Sequence, residues 1–333
     1  MTRGSPEPTN RPSFLITIDT EGDDLWSTPR EITTRNAAFL PRFQTLCERY
    51  RLKPTYLTNY EMACSPEFQE FAGDVLRRGT GEIGMHLHAW NSPPVKALTD
   101  DDYRYQPYLI DYPEPLIRSK VDFLTKLLED TFGVKPISHR AGRWSFNEVY
   151  ARALVEHGYR VDCSVTPHVS WRQFKGDPSR AGGSDYSAFP EGPYTVDLTD
   201  ISRAGPSALL ELPMTILRSE TPVLSRLGSL LPPRTFPSRV WNRIFPPIFW
   251  LRPNGRNLGH MLRVVERVRR EGRSYAEFML HSSEFMPGGS PTFRTAVSID
   301  RLYDDLEHLF ESAARSFAGA TLQEFGSGLR AAA

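Results

Sequence analysis

Glu82-Ile83-Gly84-Met85-His86-Leu87-His88 reads as a short strand with two different faces. Successive side chains of a strand point to opposite sides, so residues two apart share a side. Ile83, Met85 and Leu87 then form a face for packing, while Gly84, His86 and His88 form a face for chemistry. Gly79 and Gly81 stand just before this strand and end a helix expected over 66–78.

Working outward, Phe14-Leu15-Ile16-Thr17-Ile18 reads as a buried strand running into the acidic loop Asp19-Thr20-Glu21-Gly22-Asp23-Asp24. If the strand continues through its acidic end, Asp19 and Glu21 share a face. Further strands are expected at 54–58, 136–139, 160–165, 209–215 and 277–283, with helices near 36–51, 114–132, 146–158, 257–271 and 298–316. This alternation predicts an α/β fold with a parallel sheet, open or closed into a barrel. Both architectures place reactive groups at the carboxyl ends of strands. Residues 170–205 read as long loops with a hairpin. Residues 217–257 mix Trp241, Phe245, Phe249 and Trp250 with arginines and prolines, and read as an inserted subdomain or lid. The expected organisation is a polar, unstructured leader over 1–12, one barrel domain over 13–320 carrying that insertion, and a C-terminal tail over 321–333.

The 333 residues suffice for a core that needs no disulfide staples. Lysine plus arginine equals aspartate plus glutamate at 40 each, so no global field favours nucleic acid as a partner. Cys47, Cys64 and Cys163 are few, odd in number and without zinc-knuckle spacing, which fits a reducing compartment. No secretory pattern opens the chain, and no stretch approaches the roughly 20 apolar residues of a membrane span. A cytoplasmic location is expected, with peripheral membrane contact through 217–257 as an alternative to that segment packing as a lid.

The last expected strand, Glu277-Phe278-Met279-Leu280-His281-Ser282-Ser283, puts Phe278 and Leu280 on one face and His281 on the other. Three strand ends therefore deliver Asp19, Glu21, His86, His88 and His281. Two imidazoles and a carboxylate are a metal-ligand set that leaves a position open, suited to zinc and also to iron, cobalt or manganese. The remaining carboxylate is placed to take a proton and the remaining histidine to give one.

These residues resemble the polysaccharide deacetylases of the chitooligosaccharide-deacetylase homology type. The matching segments are Thr17–Asp23, Gly81–His88, Ser138-His139-Arg140-Ala141-Gly142 and Leu280–Ser283, in the family's order and spanning roughly 13–290. The resemblance implies a distorted seven-stranded (β/α) barrel that removes N-acetyl or other acyl groups from sugars with a divalent metal, zinc being the first choice. It implies Asp19 as catalytic base, Arg140 as the residue that orients it, and His281 as general acid. Glu21 and His86 fall at metal-ligand positions. The pattern departs from the common form in three places: Thr20 follows Asp19, Trp90 stands four residues after His86 so that His88 must serve as second histidine, and the arginine segment lacks a proline. The substrate implied is an acetylated sugar or glycan precursor for cell-surface polysaccharide or O-antigen. An amidohydrolase of small amides and an inactive glycan-binding protein are the alternatives. Asp23, Asp24, His139, Asp162 and Glu284 lie near the same mouth and are read as supporting rather than reacting groups.

Overall fold

A computed structural model describes residues 11–220, 235, 240–241 and 246–332. The expected leader lies almost wholly outside these residues, as does most of the expected insertion over 217–257, Phe245 included.

Seven parallel strands form the core, in the order β11 (Tyr275–His281), β1 (Ser13–Thr20), β2 (Pro54–Thr58), β3 (Glu82–Leu87), β4 (Ser138–Ala141), β5 (Val161–Asp162) and β8 (Leu210–Glu211). The sheet curls into the expected distorted barrel, and its last seam is spanned outside the strand ladders. There the Tyr275 hydroxyl donates to the Pro213 carbonyl at 2.6 Å, and the Glu277 amide donates to Thr215 Oγ1 at 2.8 Å. An antiparallel hairpin, β6 (Tyr194–Asp197) and β7 (Asp200–Ala204), extends the sheet beyond β8, within the segment expected to hold a hairpin. At the edges of the expected insertion, β9 (Ile216–Arg218) pairs antiparallel with β10 (Ile248–Trp250).

Period-two alternation decides what lies inside. Phe14, Ile16 and Ile18 of β1, with Phe278 and Leu280 of β11, face outward into a core shared with α1 (Leu40–Arg49), α7 (Leu258–Arg270) and α8 (Ala296–Ser316). The helices α5 (Glu114–Phe132) and α6 (Glu148–Glu156) pack on the other flank with Met85 and Leu87. Between these lie α2 (Tyr60–Ala63), α3 (Pro66–Arg78) and α4 (Asp102–Tyr105). The helix expected over 36–51 divides: a 3₁₀ turn over Arg35–Phe39 precedes α1, and Pro41 sits in the first α-helical turn, where a missing N–H costs nothing.

The segment 321–333, expected as a tail, instead contributes a helix, α9 (Leu322–Ala332), preceded by the short strand β12 (Ala318–Ala320) on β1. Leu322 is fully buried among Leu15, Leu57, Val161, Leu210 and Tyr275, so α9 plugs the amino-terminal end of the barrel. The Leu322 amide donates to Thr55 Oγ1 and the Gln323 amide to Glu82 Oε2, which caps this helix with groups from the barrel strands. With that end closed, the carboxyl ends of the strands form the open mouth.

Gly84 faces the crowded interior, where an added Cβ would stand 2.7 Å from the Ser138 carbonyl oxygen and 2.8 Å from Leu57 Cδ2. Gly84→Ala is expected to destabilise the fold by about 1–3 kcal/mol through overpacking, read as a lowered urea midpoint at unchanged m-value.

Candidate metal and acid–base site

Glu21 leaves the end of β1 on a backbone held from two sides. Its amide donates to Ser282 Oγ and its carbonyl accepts from the same hydroxyl, both at 3.1 Å, while Asn36 Nδ2 also donates to that carbonyl at 2.9 Å. Asp23 fixes the loop rather than entering the site: its carboxylate accepts from Thr33, Arg35 and Asn36. Glu61 does the same from the far side, accepting from the Gly22 amide, Asn59 and Asn91. Asp24 stands in the left-handed region (φ 43°) at the start of a 3₁₀ turn and belongs to the loop's shape.

His86 Nδ1 lies 3.0 Å from the Arg140 carbonyl oxygen and donates to it, which turns Nε2 toward Glu21. Burial opposes a charge on this ring, but Asp19 and Glu21 outweigh it and raise the His86 pKa, so a cation bound there would take the place of the Nε2 proton. His86 Nε2 and His88 Nε2 stand 3.6 and 3.3 Å from Glu21 Oε2. The His88 ring stacks on Trp90 at 4.3 Å. Burial and the neighbouring His86 push the His88 imidazole well below its ordinary pKa, toward the neutral form that ligates metals. Glu21, His86 and His88 thus stand together, with their ligand atoms all within 4.8 Å of one another. Metal–ligand bonds of about 2.1 Å place tetrahedral donor atoms about 3.4 Å apart, so this buried set fits a zinc-like divalent cation with a position left open.

Asp19 lies beside this set, its Oδ2 3.9 Å from His86 Nε2 and 3.8 Å from His281 Nε2. Its Oδ1 accepts from Arg140 Nη1 at 2.6 Å. Burial alone would push this carboxyl up, but the charges of Arg140, His86 and His281 outweigh it and hold Asp19 well below the usual carboxylate range. Arg140 is fully buried and also donates to Thr17 Oγ1, Glu277 Oε1 and the Cys163 carbonyl. Sequence reading missed Glu277, although it shares the inward face of β11 with His281. Asp162 pairs with His139 at 2.5 Å rather than with Arg140, and His139 Nε2 meets the Tyr150 hydroxyl, so both lie in a buried network beneath the site.

His281 Nδ1 donates to Glu284 Oε2 at 3.0 Å, while Nε2 faces Asp19 and Glu21. Arg252 reaches the same Glu284 oxygen at 3.2 Å. Glu284, read from the sequence as a supporting group, therefore orients the imidazole. Desolvation opposes its charge, but Arg252 and His281 hold it down at about 2. The site opens into a cavity of about 400 Å³ walled in part by Trp26, Tyr108, Trp171 and Phe174.

Two outcomes follow. A Cβ at Gly142 would lie 2.4 Å from His88 Cδ2 and 2.4 Å from the Leu87 carbonyl oxygen. Gly142→Ala would displace the His88 ring while keeping it, and is expected to weaken the binding of added zinc about tenfold or more, measured by competition with a chromogenic chelator. Glu284 titrates at about 2 in the fold against 4.5 ordinarily, so its stabilisation is present above about pH 4.5 and lost as pH falls toward 2. Glu284→Gln should lower stability at pH 7 by at most about 3 kcal/mol, with the difference vanishing near pH 2 in parallel urea titrations.

No family model and no curated protein matches the sequence. Solved structures do match. A Parabacteroides distasonis protein provisionally identified as a glycoside hydrolase or deacetylase superposes with a TM-score of 0.61 at 11% identity, over 98% of this chain and 73% of that one. A Mycobacterium smegmatis protein provisionally identified as a polysaccharide deacetylase gives 0.52 at 14% identity, over 99% and 95%. A Thermococcus litoralis 4-alpha-glucanotransferase gives 0.52 at 12% identity, over 95% of this chain but 40% of that enzyme. Identities this low speak to architecture, and the glucanotransferase shows one architecture serving another reaction. The chain has the curled (β/α) barrel fold of the polysaccharide deacetylases that its motifs resemble.

Proposed function

We propose that this protein is a metal-dependent hydrolase that removes an acyl group, N-acetyl in the first instance, from a sugar. The observation that carries the reading is the pairing of two oppositely equipped groups across one small gap. Asp19 Oδ2 and His281 Nε2 are 3.8 Å apart, each backed by its own buried partner, and both border the Glu21, His86 and His88 donor set.

Glu21, His86 and His88 would hold the metal, with zinc the first candidate. A divalent cation there supplies Lewis-acid polarisation of the acyl carbonyl and makes water more acidic. Asp19, kept ionised by Arg140, accepts the proton of the attacking water. His281 gives its Nε2 proton to the departing amine while Glu284 stabilises the imidazolium through Nδ1–H. Arg140 is a positioning residue: it orients Asp19 and keeps it anionic. The aromatic wall of the cavity suits the apolar faces of a pyranose ring, which favours a sugar over a small amide. The resemblance extends the reading to acetylated precursors of cell-surface polysaccharide or O-antigen.

The test is acetate release from a panel of N-acetylated sugars and small amides, with zinc, cobalt or manganese supplied. Turnover of sugars supports the reading; turnover of small amides alone, or none with any metal, overturns it. Asp19→Asn is expected to lower kcat about 10²–10⁴-fold while metal content, read by elemental analysis, stays at the wild-type level.

A further inference from the structure

We propose that Arg143 receives a negatively charged group of the substrate, a carboxylate or a phosphate carried by the acylated sugar. The inference rests on reading the cavity as a sugar deacylase site and names the kind of sugar it takes.

Arg143 lines the same cavity as Asp19, His86 and His281, yet it has no part in the acid–base or metal set. Its Nη1 donates to two backbone carbonyls, those of Tyr105 and Gln106, and its guanidinium lies over the Tyr108 ring at 4.2 Å. These contacts are themselves fixed. The Tyr108 hydroxyl donates to the Phe174 carbonyl at 2.8 Å, and Gln106 Nε2 donates to the Leu25 carbonyl at 3.0 Å. The anchoring uses one nitrogen of three. Beyond Nη1 the guanidinium meets the Tyr108 side chain, and no carboxylate among the described residues takes its Nε and Nη2 edge, the fork that matches a carboxylate or phosphate bidentately.

A half-buried guanidinium facing a cavity commonly has an acid beside it. Here no carboxylate lies within ion-pair distance among the described residues. Asp111 acts on the charge only from beyond contact, and burial pushes the Arg143 pKa down. Arg252, the other arginine on this cavity that approaches the acid–base pair, is already engaged by Glu284. Arg143 is thus the cation whose partner is missing from the protein and would arrive with the ligand.

The backbone adds a second, independent observation. Arg143 (φ 54°) and Trp144 (φ 61°) are consecutive non-glycine residues in the left-handed region, a costly pair for side chains with a Cβ. The twist separates their roles. Trp144 lies under the Arg140 guanidinium at 4.9 Å, and Arg143 turns onto the Tyr108 wall. Gln106, which supplies one anchoring carbonyl, is also left-handed at φ 47°. Two separate strained segments therefore meet at this one guanidinium. Strain of this sort collects where geometry serves a ligand.

The test is calorimetric titration of the metal-loaded full-length protein with three probes: N-acetylglucosamine, its 1-phosphate, and N-acetylglucosaminuronic acid. At least one anionic probe is expected to bind about tenfold or more tighter than the neutral sugar, and the tighter of the two identifies the anion. In Arg143→Gln that ratio should fall to about one. Arg143→Lys, which keeps the charge but loses the fork, should give an intermediate ratio and serves if the glutamine variant fails to fold. Equal binding of all three probes by the wild type overturns the proposal, as does an undiminished ratio in either folded variant. Acetate release is scored separately. Arg143-dependent anion binding without acetate release sustains this inference and removes the deacylase reading, whereas acetate release from all three probes without anion preference does the reverse.

Discussion

Arg140 is the constraint around which the mouth of this barrel is organised. A fully buried guanidinium is tolerable only when its charge and its donors are met inside the protein. Asp19, Glu277, Thr17 and the Cys163 carbonyl meet them, from strands β1 and β11 and from the residue following β5. The Arg140 main chain is used as well, since its carbonyl accepts from His86 Nδ1. One residue thereby fixes the ionisation of Asp19 through its side chain and the tautomer of His86 through its backbone. Glu277 is the second acid on one base: burial outweighs Arg140 and lifts its carboxyl to about 7, so Asp19 is the partner that carries the negative charge below that pH.

The interior changes character along the barrel axis. At the amino-terminal end Leu15, Leu57, Val161 and Leu210 meet Leu322 of the C-terminal helix and exclude water. Above them the side chains of Thr17 and Glu277 close on the Arg140 guanidinium, and at the mouth stand Asp19, His86 and His281. The same alternation that sends Phe14, Ile16 and Ile18 to the outer core lines up Leu15, Thr17 and Asp19 within. An apolar floor and a salt-bridged middle give a rigid base to the reacting end, whose groups stand 3.3–3.9 Å apart.

Strand periodicity made the essentials legible. It paired His86 with His88 and Asp19 with Glu21, and it set His281 against Phe278 and Leu280, because each choice depends only on near neighbours in one strand. What escaped depends on contacts between distant segments. Glu277 was readable as an inward residue four before His281, but its meaning needed Arg140, 137 positions away. Glu284 needed Arg252 beside it. The C-terminal helix read as a tail because its sequence, with Gly326 and Gly328 and few large apolar residues, is a poor helix by itself. Gly326 is small because Val161 Cγ2 stands 2.6 Å from where its Cβ would be. That is a packing reason, invisible without the partner.

The three imidazoles at the mouth show how a role can be read from the nitrogen that faces away. His86 gives its Nδ1 proton to a main-chain carbonyl, a neutral acceptor that fixes the ring; burial opposes its charge, but the carboxylates of Asp19 and Glu21 facing Nε2 raise its pKa, and a cation there would replace that proton. His88 Nδ1 is buried with no hydrogen-bond partner, and its ring lies flat on Trp90, so protonation there would strand a charge. His281 alone backs onto a carboxylate, Glu284, beside which Arg252 Nη2 also stands 3.1 Å from Nδ1. A ligand must be neutral and an acid must carry its proton at the right moment. The partners at the far nitrogens therefore divide the three as the proposed reading requires: two suited to hold a cation and one to give up a proton. In that reading His88, one residue beyond the end of β3, stands in for the histidine that the common pattern has two residues later, where this chain has Trp90.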